Sequence, residues 1–484
     1  MTNPNQPSAC RCSRRNFIVT SSAAVLGTAS ARGAVWASEN KSGIAPAGPA
    51  SKYQMKIKAA FVRRKEDYGI LWPGAIYDGE AARKNYSRQI HEAAEKIGAQ
   101  LDLRPQPIYS EADADEWIAQ AESQKPDGLF LVLLDRQQHA WPTAAKAVEC
   151  SIPTVIYSPV GTSFTTNTIP LANKTGAVIF SSDDFRQAEY GMKMIHAGAR
   201  LRETRCIVIK GDERRDEEVP HFGTKLRYIP ANDFFEEYGK IPLSDEVKTI
   251  AAEYKNNATK ITGASEEDLF NGVKSFVAAR NILEREEGDA ITMDCLGALG
   301  KTKVSLPCIS WSRMLDHGVP AACEADIGAA VTHALVQYLF DRPGFQQDPV
   351  AETARECIIG AHCTCPTRLN GFSQPPEPFS LSHHHGDRDA VPLPQWKIGQ
   401  RITVADVILR STDAVPQMIV SCGEVVENVS VPPAGGCVVS VMVKLDGVTD
   451  VLNYPGFHQI FFYGDYKKEL KAYCQLYGIE PMVV

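Results

Sequence analysis

Gly128-Leu129-Phe130-Leu131-Val132-Leu133-Leu134-Asp135 is apolar without interruption from Leu129 to Leu134 and closes on an acid. A half-exposed strand alternates polar and apolar side chains. An unbroken short run is what a strand covered on both faces requires, and parallel sheets flanked by helices provide that cover. Working outward, residues 57–63 and 152–157 form similar short apolar runs, and residues 79–97 between them carry helical spacing. Strands separated by amphipathic helices imply βαβ units and a parallel sheet. The pattern restarts at residues 177–180, with further strands at 206–210 and 289–293 and a long helix over 266–285, which makes a second α/β unit. After about Pro349 the texture changes: strand-like runs at 401–409, 417–426 and 437–444 are separated by Pro432-Pro433, Gly435-Gly436 and Asp446-Gly447, and a closing helix over 466–477 ends at Gly478. The expected class is α/β, with two Rossmann-like α/β domains (55–172 and 173–348) followed by a C-terminal antiparallel β-barrel-like domain (349–484). Residues 371–395, rich in proline and carrying His383-His384-His385, read as a long loop.

With 484 residues the chain is long enough for several domains, and its composition, 44% apolar and 23% charged, is that of a globular protein. No uncharged apolar run reaches spanning length, so no membrane span is expected. The N-terminus is different in kind. Ser13-Arg14-Arg15-Asn16-Phe17-Ile18 matches a twin-arginine export motif, a weakly apolar stretch rich in Ser, Ala and Thr follows to Ala31, and Val35-Trp36-Ala37 offers small residues for cleavage, with Ala29-Ser30-Ala31 as a second choice. Residues 1–37 are therefore expected to be a signal peptide, placing the mature protein in the periplasm or outside the cell, and residues 38–54 a linker. The first 37 residues carry four arginines and no other charge, so a chain starting at Ser38 has 47 basic and 58 acidic residues, a net charge of −11. Nucleic acid is not an expected partner for so acidic a chain. The mature part holds 11 of the 13 cysteines, an odd number, and Cys206 and Cys308 sit in apolar runs. Free buried thiols are expected, as in a protein that folds in a reducing compartment before export.

The chemistry-bearing segments lie in the second half. Leu296-Gly297-Ala298-Leu299-Gly300-Lys301-Thr302 ends like a phosphate-binding loop, but Cys295 stands where its first glycine is needed. Glu324 and Asp326, in Ala321-Ala322-Cys323-Glu324-Ala325-Asp326-Ile327-Gly328, precede an apolar helix. Acids so placed serve either as helix caps or, set among apolar neighbours, as buried charges that need a cation or partner. Asp294, at the end of the strand over 289–293, either starts a turn or points into a cleft at a parallel strand's carboxyl end. His362 lies in a strand-like run, the three histidines 383–385 are followed by Asp387 and Asp389, and His458 sits between the turn Tyr454-Pro455-Gly456-Phe457 and an apolar strand. Each histidine reads as a satisfied or solvated side chain or as a ligand. His333, on the apolar helix, reads as structural.

The order of Asp294-Cys295, then Cys323-Glu324-Ala325-Asp326, then Ala361-His362-Cys363-Thr364-x-Pro366, then His458 with Tyr463-Gly464-Asp465 and a closing helix resembles the L-fucose and L-arabinose isomerase superfamily. It is most similar to the superfamily's fucose isomerase-like proteins of unassigned substrate. The resemblance implies the three-part fold and a homo-oligomer with sites between subunits. It also implies a divalent cation, usually Mn2+, held here by Glu324, Asp326 and His458, with Asp294 a weaker match for the second carboxylate. The chain departs from the pattern at Ser382-His383-His384-His385-Gly386-Asp387, where relatives commonly carry Thr-His-x-Glu-Ser-Gly.

The resulting expectation is a metal-dependent sugar isomerase acting on a small aldose or ketose through an ene-diol. Glu324, Asp326 or Asp294 would move the proton, and His362 and His384 would contact hydroxyls. Export suggests two alternatives, a secreted glycan-active hydrolase or lyase on the same metal site and a non-catalytic periplasmic sugar-binding protein.

Overall fold

The run at 128–135 is the central strand of the first sheet. In the computed structural model, which describes residues 44–66, 78–136, 139–299, 302–385, 388–410, 414–430 and 438–484, that sheet contains β1 (Lys56–Val62), β2 (Gln100–Leu103), β3 (Gly128–Leu133), β4 (Thr154–Ser158) and β5 (Ala177–Ser181). They lie in the order β2-β1-β3-β4-β5, every pairing parallel. Every residue of β3 is buried. Side chains alternate between faces, so Phe130 and Val132 enter one core and Leu129, Leu131 and Leu133 the other. The uninterrupted apolar run is the sequence record of two covers.

The second sheet repeats the arrangement with β6 (Arg205–Ile209), β7 (Arg215–Glu218), β8 (Lys225–Ile229), β10 (Ala290–Met293) and β11 (Ala321–Cys323), β9 (Lys260–Ile261) lying apart from it. The order is β11-β10-β6-β8-β7, parallel except for the antiparallel edge strand β7. Cys206 and Val208 face one core, Ile207 and Ile209 the other.

The third part is a closed antiparallel barrel. Its strands are β12 (Phe345–Glu352), β13 (Cys357–His362), β16 (Arg401–Ile408), β17 (Gln417–Asn428), β18 (Val439–Leu445) and β19 (Gln459–Tyr463), in the order β16-β19-β12-β13-β18-β17, and a β16–β17 pairing closes the circle. Closure leaves these strands no unpaired edge. The final strand β20 (Glu480–Val483) joins β17 in parallel. The closing helix Lys467–Tyr477 ends at Gly478, whose φ of 64° suits a glycine cap. One apolar core runs from the first sheet through helices Arg186–Glu203 and Ile327–Phe340 to Ala405, Val407, Ile460 and Phe462 of the barrel.

Three segments differ from the sequence reading. The strand at residues 177–180, expected to restart the pattern in the second unit, is β5 and pairs in parallel with β4 at the edge of the first sheet. Residues 371–395 contain a hairpin, β14 (Phe379–His385) and β15 (Arg388–Pro394), with β9 paired to β14. Pro392 and Pro394 are tolerated because β15 pairs only with β14 and its outer side needs no N–H donors. Leu381, Ala390 and Val391 anchor the hairpin in the second lobe's core. The described part of the 38–54 segment is docked instead of free: Ile44 and Ala50 are buried, and the N–H groups of Ala50 and Ser51 donate to Asp289 at 3.1 and 3.0 Å. Asp289 also accepts from the Arg205 backbone, which pins the segment to the second sheet. The export motif, Asp387, the Gly300-Lys301 pair and Cys437 lie outside the described residues. No helix among the described residues is long and apolar enough to cross a membrane.

Candidate metal centre

At the carboxyl end of β11 the chain must turn at once into helix Ile327–Phe340. It does so through Glu324 and Ala325, both left-handed with φ of 63° and 54°, after which Asp326 caps the helix by accepting from the Ala329 N–H at 2.8 Å. The turn is held by the Ala325 N–H donating to the Met293 carbonyl of β10. Two successive non-glycine residues in this region are energetically costly, and such backbone persists where the surrounding structure enforces it, commonly at functional sites. His458 is a third case, with φ of 54°, two residues after Gly456 at φ 90°.

These turns aim side chains at one point beside the barrel. His458 Nε2 lies 3.6 Å from Glu324 Oε2 and 3.3 Å from Asp348 Oδ1, and His362 Nε2 lies 3.6 Å from Glu324 Oε1. One ligand-type atom each from Glu324, His362 and His458 falls within a 4.8 Å sphere of mutual distance. Both histidines are buried, whereas Glu324 and Asp348 are 33% and 29% exposed, so the carboxylates open the cluster to one side. Among the described residues, His362 Nε2, His458 Nε2 and Asp348 Oδ1 have no hydrogen-bond partner. Buried polar atoms are normally satisfied, and three unsatisfied ones converging with a carboxylate are the arrangement a divalent cation completes.

Asp326 stands behind this cluster. Its Oδ2 accepts from His458 Nδ1 at 2.9 Å while its Oδ1 caps the helix. That bond puts the imidazole proton on Nδ1 and turns the Nε2 lone pair toward Glu324 and Asp348, as a carboxylate–histidine–metal triad does. Charges follow the geometry. The His362 imidazole holds the Glu324 carboxyl below its ordinary range against the pull of burial. Burial also works against ionising Asp326, but His458 and the helix N–H groups bring it down. Burial pushes Asp348 up, with the two imidazoles only partly offsetting it. Asp406 on β16 is driven up to about 7, first by burial and then by the charge of Asp326.

Among the residues singled out from sequence, the structure brings together Glu324, Asp326, His362 and His458. Asp294 sits at the end of β10, where its Oδ1 accepts from the Gly297 N–H at 3.2 Å and caps the short helix Cys295–Leu299. His384 lies buried on β14 and groups with Cys308 and Cys363 instead of with the carboxylates. His383 binds Asp268 at 3.2 Å. His333 is wholly buried, and burial lowers its pKa to about 3, which fits a structural side chain. The residue missed was Asp348. It lies in Phe345-Gln346-Gln347-Asp348-Pro349, which the sequence reading treated as a domain border, and its only signal was an acid closing an apolar-to-polar strand. All ten described cysteines are free and nine of them are buried.

A separate cleft of about 470 Å³ is lined by Asp127, Arg202, His221 and Tyr477, and shares no residue with this cluster. Its charges already pair with each other, Arg202 to Asp127 at 2.6 Å.

No family model and no curated protein matches this chain. A solved solute-binding protein of an ABC transporter from Burkholderia multivorans is 13% identical over 60% of this chain and 95% of its own, with a TM-score of 0.18. So slight a superposition bears on neither fold nor function.

Proposed function

We propose that this protein is a metal-dependent aldose–ketose isomerase-like enzyme working through an ene-diol at the cluster of Glu324, Asp348, His362 and His458. The observation that carries the reading is the convergence, with two partly exposed carboxylates, of two buried imidazole nitrogens that have no hydrogen-bond partner among the described residues. Oxygen and imidazole donors suit Mn2+. Glu324, Asp348 and His458 would hold it, with Asp326 orienting His458 from behind. Bound there, the cation would polarise the carbonyl and hydroxyl oxygens of a sugar. Glu324 and Asp348, the two partly exposed carboxylates facing His458, are placed to take a proton from one carbon and return it to the next. His362 is placed to donate to a hydroxyl.

A homo-oligomer with a second copy over the open side of the cluster completes the proposal, supported by the exposure of the carboxylates and of Phe457 beside His458. Export by the twin-arginine route rests on residues 13–37 alone, and N-terminal sequencing of the mature protein tests it.

The deciding experiment incubates Mn2+-loaded full-length protein with free aldoses and ketoses in D2O and follows deuterium at the carbon next to the carbonyl. Incorporation with product formation is expected, and Glu324→Gln is expected to lower the rate about 10²–10⁴-fold. Cleavage of oligosaccharides without exchange would replace this reading by the hydrolase or lyase. A sugar-induced rise in melting temperature without metal or turnover would replace it by the binding protein.

A further inference from the structure

Behind the carboxylate–imidazole cluster lies a second group of ligand-type side chains with different chemistry. The Cys308 and Cys363 sulfurs and a His384 ring nitrogen lie within 4.8 Å of one another, as do donor atoms of Cys323, His362 and Cys363. All are buried, Cys308 and Cys323 at 2% exposure. They arrive from four separate elements: Cys308 opens helix Cys308–Asp316, Cys323 ends β11, Cys363 follows β13 and His384 lies on β14. Among the described residues no other cysteine joins such a group.

The backbone explains how two sites share one wall. Cys323-Glu324 and His362-Cys363 are adjacent pairs, and in each the chain sends the oxygen or imidazole donor to one side and the thiol to the other. His362 joins the two, its Nδ1 3.5 Å from Cys363 Sγ and its Nε2 3.6 Å from Glu324. A lone buried cysteine is adequately described as a small apolar side chain. Cys363 belongs to both groups, so three buried thiols and the His384 ring gather around it as a soft donor set, and three sulfurs with one nitrogen is a known composition of closed tetrahedral zinc sites.

We propose that Cys308, Cys323, Cys363 and His384 form a structural Zn2+ site, distinct from the proposed catalytic cluster and independent of what that cluster catalyses. Donors around tetrahedral zinc stand about 3.3–3.8 Å apart; Cys363 already lies within 4.8 Å of each of the other three, and binding draws Cys323 toward Cys308 and His384 around it. The ion ties the β14–β15 hairpin and the end of β13 to the second α/β lobe, and through Cys363 it fixes the face that His362 presents to Glu324.

The test uses the full-length protein purified without chelator. One zinc equivalent is expected by elemental analysis. It is expected to persist in Glu324→Gln/His458→Gln, which empties the oxygen-rich cluster, and to be lost in Cys308→Ser/Cys323→Ser. Exchange with Co2+ is expected to give an intense thiolate-to-cobalt charge-transfer band in the near ultraviolet. Should the cysteine variant fail to fold, titrating wild type with a mercurial in the presence of a zinc indicator gives the same answer, with one equivalent released as the thiols react. No zinc bound, zinc that leaves with Glu324→Gln/His458→Gln and not with the thiols, or a cobalt spectrum lacking the charge-transfer band would overturn the proposal.

Discussion

Asp326→Asn separates the two duties of one carboxylate. The Asn oxygen can still accept from the Ala329 N–H, and Asn caps helices about as well as Asp, so the start of helix Ile327–Phe340 should be preserved. The other atom becomes an NH2 group facing His458 Nδ1, where Asp326 Oδ2 now accepts at 2.9 Å. Two donors cannot share that position. The imidazole must move its proton to Nε2, which removes the lone pair from the side of Glu324 and Asp348, or else rotate. Loss of such an orienting partner typically weakens metal binding 10–100-fold, about 1.4–2.7 kcal/mol. Calorimetric titration of Mn2+ into the metal-free variant should show that loss, while its urea midpoint stays near wild type. Asp326→Ala should show the same loss of affinity and an additional destabilisation of about 1 kcal/mol from the missing cap. Unchanged Mn2+ affinity in Asp326→Asn would refute the orienting role. Abolition as complete as in Glu324→Gln would instead make Asp326 a direct ligand.

Asp406, with its carboxyl raised from 3.8 to about 7, favours the folded state when protonated, so its contribution is complete below about pH 4 and is lost as pH rises through 7. That gap sets a ceiling of about 4 kcal/mol, and Asp406→Asn in chelator-treated protein should flatten the fall in urea midpoint between pH 5 and 8; parallel pH profiles would rule it out. Gly456→Ala would place a Cβ 2.4 Å from Ile419 Cδ1 and 2.8 Å from Asp406 Oδ2 at a φ of 90°. It should cost about 1–3 kcal/mol and weaken Mn2+ binding by displacing His458, and a variant with wild-type stability and affinity would contradict the turn's role. Gly48→Ala would bring a Cβ 2.2 Å from Asp289 Oδ2 and disturb the bonds to Ala50 and Ser51. A loss of about 1–3 kcal/mol is expected by denaturant titration, whereas no loss would mean the segment is an undocked tether.

The architecture was legible because burial on two faces and burial on one leave different periodicities. The run from Leu129 to Leu134 needs two covers, and the helix expected over 266–285 matches Glu266–Arg285 residue for residue. The hairpin over 379–394 was not legible, because prolines that forbid a central strand are harmless on an edge and no local pattern says which strand will be the edge. In the site, Glu324, His362 and His458 could be chosen from their neighbours, but their roles could not. Asp326 looked as good a ligand as Glu324, although the chain's left-handed turn sends one carboxylate to the cluster and the other behind it.

By itself the sequence determined the alternation of strand and helix in the first two parts, the change from parallel lobes to a β domain, and which residue types were available for chemistry, since these depend on local periodicity and composition. Only the tertiary structure decided which donors meet. Asp348 and His458 are brought within 3.3 Å by the antiparallel pairing of β12 with β19, and Cys308, Cys323 and His384 are gathered around Cys363 by the packing of four elements far apart in the chain. Distances of that kind are set by long-range packing, which leaves no periodic mark on the residues it joins.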